Sequence, residues 1–305
     1  MPDTRFPDFY VVGAAKAGTT SLVAMLSRHP RIYFPVEKEP HHFFLRDDVR
    51  PWTIRDGRRT LPLMRVLPFW KERDYLGLYE DTGPKELRGD ASTQYLVNET
   101  TASSIHAVRD DARIIVILRD PVERAYSAWI HATARGEDDA EFSTALDECE
   151  AGLRRTSFAI DYLAEGHYAE HLARYRLLFG DRVLVVLFED LIGQPGEVVS
   201  TIQDFLNVGH EPLDTHIGEH RNRSVALGNP LVRGIRLLAK RLRRVAPRFF
   251  DQPFVRRPYE TILTMIGREP ARMSDADRLR LNAYYAARNR KLGAMIGKDL
   301  SHWSR

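Results

Sequence analysis

A single cysteine, Cys149, stands among 305 residues. That excludes a disulfide framework and any zinc site built on several thiolates, and it fits a reducing compartment. No apolar run reaches the ~18–20 residues that a bilayer-spanning helix needs. The opening, MPDTRFPDFYVVGA, has no basic end followed by an apolar stretch of ~7–15 residues, so no secretory leader is expected and a soluble, cytoplasmic chain is. Charge of one sign is not in excess either: 45 basic residues face 42 acidic ones, a net +3. That balance hides one uneven block. Residues 231–258 hold nine basic residues and one acidic residue, Asp251, and the remainder carries 36 against 41. With 43% apolar and 29% charged residues the composition is globular, and it excludes both disorder and collagen-like repeats.

What is present is an alternation of short apolar runs and helical stretches. FYVVGA, residues 9–14, reads as a buried strand by its length and β-branching. RIIVIL (113–118) and RVLVVLF (182–188) are apolar on both faces, as central parallel strands are, and a weaker strand sits near 87–90. Helices are expected over 19–28, 121–134 and 160–179. A last one runs from a cap at Ser274, with Asp277 three residues on, to Gly297. No repeat or low-complexity linker divides the chain. The pattern predicts one α/β domain over 1–305: a central parallel sheet flanked by helices, with variable insertions at about 45–80 and 225–260. In the basic block Leu231, Ile235, Leu238, Leu242 and Val245 recur at helical spacing. It reads as a solvated helix, or as a cover over an anionic ligand or a peripheral contact with a membrane surface. Few aromatics are interleaved there, so nucleic acid is not an expected partner.

The most informative segment is Gly13-Ala14-Ala15-Lys16-Ala17-Gly18-Thr19-Thr20-Ser21, which leaves a buried strand and opens a helix. Small residues let amides converge, and a helix N-terminus offers unpaired N–H groups and partial positive charge. Lys16 adds a full charge, and Thr19 and Thr20 add hydroxyls, so the segment is an anion cradle. Its glycine spacing is that of a P-loop, but the lysine stands at 16 rather than directly after the second glycine. A small-molecule kinase would need the Gly-Lys-Ser/Thr order and Mg²⁺ ligands. A non-catalytic anion-binding protein would need only the cradle.

Lys16-Ala17-Gly18-Thr19-Thr20-Ser21-Leu22 resembles the K-x-G-T-T-x-L loop of sulfotransferases that use 3′-phosphoadenosine 5′-phosphosulfate, PAPS, in particular the branch with heparan sulfate sulfotransferases and bacterial relatives. Arg119-Asp120-Pro121-Val122-Glu123-Arg124-Ala125-Tyr126-Ser127 resembles their R-D-P-x-x-R-x-x-S motif. Lys38-Glu39-Pro40-His41-His42-Phe43-Phe44 and Gly89-Asp90-Ala91-Ser92-Thr93-Gln94-Tyr95-Leu96 resemble two further segments, K-E-x-H-x-F and G-E-x-S-P-x-Y-L. Gly166-His167-Tyr168 and the Leu300 to Trp303 ending also match, so the likeness runs nearly the length of the chain. One departure concerns the acceptor. Glycan-type members often carry a lysine where this chain has Ala91, so their acceptor contacts do not transfer.

The resemblance implies a PAPS-dependent enzyme that moves a sulfuryl group to an acceptor hydroxyl, or less readily an amine, with PAPS as co-substrate and no metal. It implies that Lys16, Ala17, Gly18, Thr19, Thr20 and Ser21 hold the 5′-phosphosulfate, and that Arg119 and Ser127 hold the 3′-phosphate. A late basic loop is expected at Arg221, Asn222 and Arg223. Glu39 is the expected general base, its pKa raised by burial near Phe43 and Phe44, with His41 as the runner-up and Asp90 as the fallback. Catalysis is thus assigned to Glu39, Lys16 and His41. Small molecule, glycan and lipid acceptors all remain open. Two weaker signals, His167 to His171 and His216 to His220, fit the H-x-x-E-H zinc pattern; the first reads as a helix surface and the second as a loop.

Overall fold

The computed structural model describes residues 5–46, 50–56, 59–80, 82, 87–215 and 272–304. Its centre is a parallel sheet of β1 (Phe9–Gly13), β2 (Ile32–Tyr33), β5 (Leu87–Ala91), β6 (Arg113–Leu118) and β7 (Val183–Leu187), ordered β2-β5-β1-β6-β7. A separate antiparallel hairpin pairs β3 (Thr53–Asp56) with β4 (Arg59–Pro62) inside the 45–80 insertion. The order follows from burial. β1 is buried at every position and lies at the middle of the sheet, and β6 beside it is buried from Ile114 to Leu118. Each such Val or Ile contributes roughly 1.5–3 kcal/mol on leaving water. β7 differs from its expectation as a two-faced buried strand: it lies at one edge of the sheet, as β2 does at the other, and Val183, Leu184 and Val185 are only half-buried.

All five strands run the same way, so every carboxyl end falls on one rim. β1 connects first toward β2 and β5 on one side, while β6 lies on its other side. A crevice opens where the connections diverge, which is where open α/β sheets place ligands. α1 (Thr19–Leu26) leaves β1 at this rim. α2 (His42–Arg46) and α3 (Glu72–Leu76) belong to the segments before β5, and α4 (Thr101–Val108) follows it. α5 (Pro121–Arg135) leaves β6, and its start is well signalled: Asp120 caps it by accepting from the Val122 amide at 2.8 Å, and Pro121 occupies the first turn.

The helix expected over 160–179 is shorter. After α6 (Phe142–Glu150) no α-helix forms until α7 (Tyr168–Phe179), the part between holding only a 3₁₀ turn at Ala164–Gly166. The reason is tertiary. The Tyr285 hydroxyl donates to the Leu163 carbonyl at 2.9 Å, with the Tyr162 carbonyl at 3.3 Å beside it, and so takes an acceptor a helix would use. A Cβ on Gly166 would stand 2.6 Å from that hydroxyl, so only glycine lets the chain pass. α8 (Phe188–Gly193) and α9 (Pro195–Leu206) follow β7. The last helix, α10 (Asp275–Ile296), starts where expected: Ser274 accepts from the Asp277 amide at 3.1 Å, and Gly297 ends it in the left-handed region. No described helix is long and apolar enough to cross a membrane.

Candidate active site

The loop from β1 to α1 is shaped by two left-handed residues, Lys16 (φ 67°) and Gly18 (φ 86°). Gly18 is the N-cap of α1 and has no side chain to occupy the first-turn amides, so the helix end stays available to an anion. A Cβ there would also stand 2.8 Å from the Phe188 ring. Phe188 thus packs under the loop, and the Arg119 guanidinium lies over the same ring at 4.9 Å. Arg119 Nη1 donates to the Lys16 carbonyl at 3.1 Å, so the two motifs, far apart in sequence, form one wall. Burial lowers the Lys16 pKa, and the Arg119 charge lowers it further, while Glu39 works the other way. Ser127, two turns into α5, is half-buried. The β7–α8 turn braces this wall, because Glu189 accepts from the Asp120 amide at 3.2 Å. Sequence reading missed Phe188 and Glu189; neither belongs to a motif recognisable by spacing.

Across the crevice stands Glu39. It lines one cleft with Thr19, Thr20, Phe34, Lys38 and Ala91. Its carboxylate lies 3.2 Å from His41 Nε2 and accepts from the Thr93 hydroxyl at 3.1 Å. Burial pushes the Glu39 pKa up, but the hydrogen bonds from His41 and Thr93 outweigh it and the net shift is downward. This corrects the expected rise. The phenyl rings expected to bury Glu39 are engaged elsewhere: Phe43 packs against Phe6, Tyr10, Tyr75 and Tyr95, and Phe44 against Trp52 and Phe158. His41 is 5% exposed, with its ring edge-on to Phe158 at 5.3 Å. Its Nδ1 is buried without a hydrogen-bond partner among the described residues. Glu39 (φ 53°) and His41 (φ 54°) both adopt the left-handed backbone, a strained conformation that clusters at functional sites.

Asp90 does not open on the cleft as its fallback role required. It is wholly buried and accepts from Tyr75, Tyr95 and Ser92 at 2.7, 3.0 and 2.8 Å, while its neighbour Ala91 takes the place on the cleft wall. Nor is His171 on a helix surface. It is 8% exposed, its Nε2 meets the Ala164 carbonyl at 2.8 Å, Arg174 donates to its Nδ1 at 3.0 Å, and burial pushes its pKa down to about 3. His167 pairs with the Tyr284 hydroxyl at 2.8 Å, so the first H-x-x-E-H pair joins helices rather than metal. Arg221, Asn222, Arg223, the His216 to His220 pattern and the basic stretch 231–258 lie outside the described residues. In the 45–80 insertion Tyr75 and Tyr79 belong to the core, whereas Trp70 is 41% exposed.

The loop carrying Lys16, joined to Arg119 at the ends of two adjacent parallel strands and with a carboxylate–imidazole pair near Lys16, lies at the rim where open α/β sheets take ligands and suits an anionic one. Residues 7–212 match the sequence model of the Sulfotransferase family, and the chain belongs to that family. It is a transferase that moves a sulfuryl group. The chain is similar to heparan sulfate glucosamine 3-O-sulfotransferase 6 of Mus musculus, 26% identical over 97% of this chain and 73% of that one. It is similar also to heparan sulfate glucosamine 3-O-sulfotransferase 3B1 of Homo sapiens, 28% identical over 70% of this chain but only 49% of that one. Its fold is similar to the crystal structure of a sulfotransferase from Alicyclobacillus acidocaldarius, with a TM-score of 0.71, 28% identity, and 98% and 99% of the two chains covered.

Proposed function

We propose that this enzyme takes its sulfuryl group from PAPS and passes it to an acceptor hydroxyl by in-line displacement, with Glu39 as general base. The observation that carries the reading is the wall joined by the Arg119 bond to the Lys16 carbonyl, with Glu39 near enough to act on the Lys16 charge and lining a cleft with Thr19 and Thr20 of the same loop. Two cationic sites suit a donor with phosphate at both its 5′ and 3′ positions. Lys16 and the first turn of α1 hold the phosphosulfate, and Arg119 with Ser127 holds the 3′-phosphate. Sulfuryl transfer, like phosphoryl transfer, leaves the protein mainly positioning and charge to supply. The acceptor proton passes to the Glu39 carboxylate as the new oxygen–sulfur bond forms. The bond from sulfur to the 5′-phosphate oxygen breaks, and Lys16 neutralises the charge that grows on that oxygen. Adenosine 3′,5′-bisphosphate leaves. His41 and Thr93 position the carboxylate. A hydroxyl acceptor agrees with relatives named for 3-O-sulfation of glucosamine, whereas Ala91 on the cleft wall argues against copying a glycan member's acceptor contacts.

A thermal-shift panel tests the donor. Adenosine 3′,5′-bisphosphate without added metal should stabilise the protein, by about 2.7 kcal/mol at one hundred times its Kd, and ATP with Mg²⁺ should not. The reverse pattern overturns the reading in favour of a kinase. Bisphosphate release from PAPS, followed with a simple alcohol, a phenol and a glucosamine-containing oligosaccharide in turn, then identifies the acceptor class.

A further inference from the structure

The strained loop that carries Glu39 and His41 needs something to hold it. Glu39 precedes Pro40, and a residue before proline favours extended backbone, yet Glu39 is left-handed. The restraint comes from beneath. Asp90, at the carboxyl end of β5, takes the hydroxyl protons of Ser92 and Tyr95. A hydroxyl has one proton, so with that proton committed to a carboxylate its lone pairs are left to accept. Ser92 Oγ accepts from the His41 amide at 3.1 Å, and the Tyr95 hydroxyl accepts from the Phe43 amide at 3.2 Å. The neighbouring carbonyls are tied by other residues, Phe43 to Thr101 and Phe44 to Asn98, each at 3.2 Å.

We propose that Asp90 is a positioning residue for the base: by polarising Ser92 and Tyr95 it fixes the His41 and Phe43 amides, and so fixes where Glu39 presents its carboxylate. An ionised carboxylate can only accept hydrogen bonds. That property sets the direction of both relays; an amide at position 90 would offer a donor to one of the same hydroxyls. The cage also explains why a fully buried acid is tolerated. Burial pushes the Asp90 pKa up, and the hydrogen bonds from Tyr75, Ser92 and Tyr95 oppose that rise. The consequence for turnover, though not the loop geometry, rests on Glu39 being the base.

Three variants each remove one hydroxyl from the same carboxylate. Ser92→Ala and Tyr95→Phe cut a relay to the loop. Tyr75→Phe removes an equivalent bond to Asp90 but keeps the ring stacked on His42 at 4.3 Å. Asp90→Asn leaves a buried donor among hydroxyls and risks unfolding, so the single-hydroxyl variants decide the matter. Hydrogen exchange of the full chain, read on peptides covering residues 39–43, should accelerate roughly tenfold in Ser92→Ala and Tyr95→Phe, the size of one lost hydrogen bond, and less than about twofold in Tyr75→Phe. In the first two variants kcat for bisphosphate release from PAPS should fall while bisphosphate affinity holds. Equal loop exchange in all three, tracking only their melting temperatures, overturns the proposal. Glu39→Gln separates the two claims. If it keeps full turnover while the Ser92→Ala loop opens, the base assignment fails and the anchor stands. If it is inactive while the Ser92→Ala loop exchanges no faster than that of Tyr75→Phe, the anchor fails and the base stands.

Discussion

At the ends of β1 and β6 the anion wall is made of backbone amides, a glycine N-cap and two long cations, Lys16 and Arg119, both only half-buried. On the opposite side Glu39 sits on a bed of side-chain hydrogen bonds running from Asp90 through Ser92, Thr93 and Tyr95, most of it fully buried. The difference follows from what each side is proposed to handle. A multiply charged donor brings its own strong interactions, so the protein need only offer converging donors at a strand end. A base must meet a neutral hydroxyl at one distance and angle, and little in that encounter would correct a misplaced carboxylate. Preorganisation is therefore concentrated on the Glu39 side.

The comparison breaks most visibly at Glu39. Glu39→Gln keeps the shape and removes the basicity, and it should lower kcat by ~10²–10⁴-fold with bisphosphate binding unchanged, measured by turnover at saturating PAPS and by calorimetry. The wild-type pH profile sharpens this point. With its pKa held below the usual glutamate range, Glu39 stays ionised as pH falls, so the acid limb of kcat/KM should lie below ~4.3 rather than near neutrality. The stability contributed by its hydrogen bonds is present above the unfolded-state pKa and is lost as pH drops through the lower folded value. If His41→Gln abolishes turnover while Glu39→Gln does not, the two sides keep their contrast but the base is the imidazole.

Next in size is Lys16→Ala, expected to lower kcat by roughly 10²–10³-fold with a smaller effect on bisphosphate affinity, because the charge it meets grows mainly in the transition state. Arg119→Ala should behave in the opposite sense. Losing one charged hydrogen bond should weaken bisphosphate binding by roughly 1.5–3 kcal/mol with kcat less affected. Equal bisphosphate affinity in wild type and Arg119→Ala would remove Arg119 from the donor site. The smallest effect concerns Asp120, whose pKa burial pushes up to about 6 from an ordinary 3.8. Between those values the folded state binds more protons than the unfolded one, so this residue makes the protein more stable as pH falls through 6. Asp120→Asn keeps a capping side chain and should raise stability at pH 7 by on the order of 1 kcal/mol, or ~2–4 °C in Tm, and flatten the melting profile between pH 4 and 7. An unchanged profile would show that the carboxylate at this helix start is not penalised by burial.

Much of this molecule was legible in the chain alone. The anion wall is local: a buried strand, a small-residue turn and a helix N-terminus follow one another within Phe9 to Leu26, and Arg119-Asp120-Pro121 repeats the logic after β6. Hydrophobic period and capping residues write such units directly into sequence, which is why the α/β class, the sheet, the turn from β1 into α1 and α10 could all be read from it. The base side was legible only as a list of residue types. That burial fails to raise Glu39, that Asp90 lies behind the cleft rather than in it, and that α7 starts at Tyr168 all depend on how side chains are placed in the folded chain, some near in sequence, His41 and Tyr95, and some brought from other segments, Thr93, Tyr75 and Tyr285. Periodicity reports which face of an element is apolar. The direction of a hydrogen bond, and which carboxylate receives it, is set by distances between segments that only the packed sheet brings together.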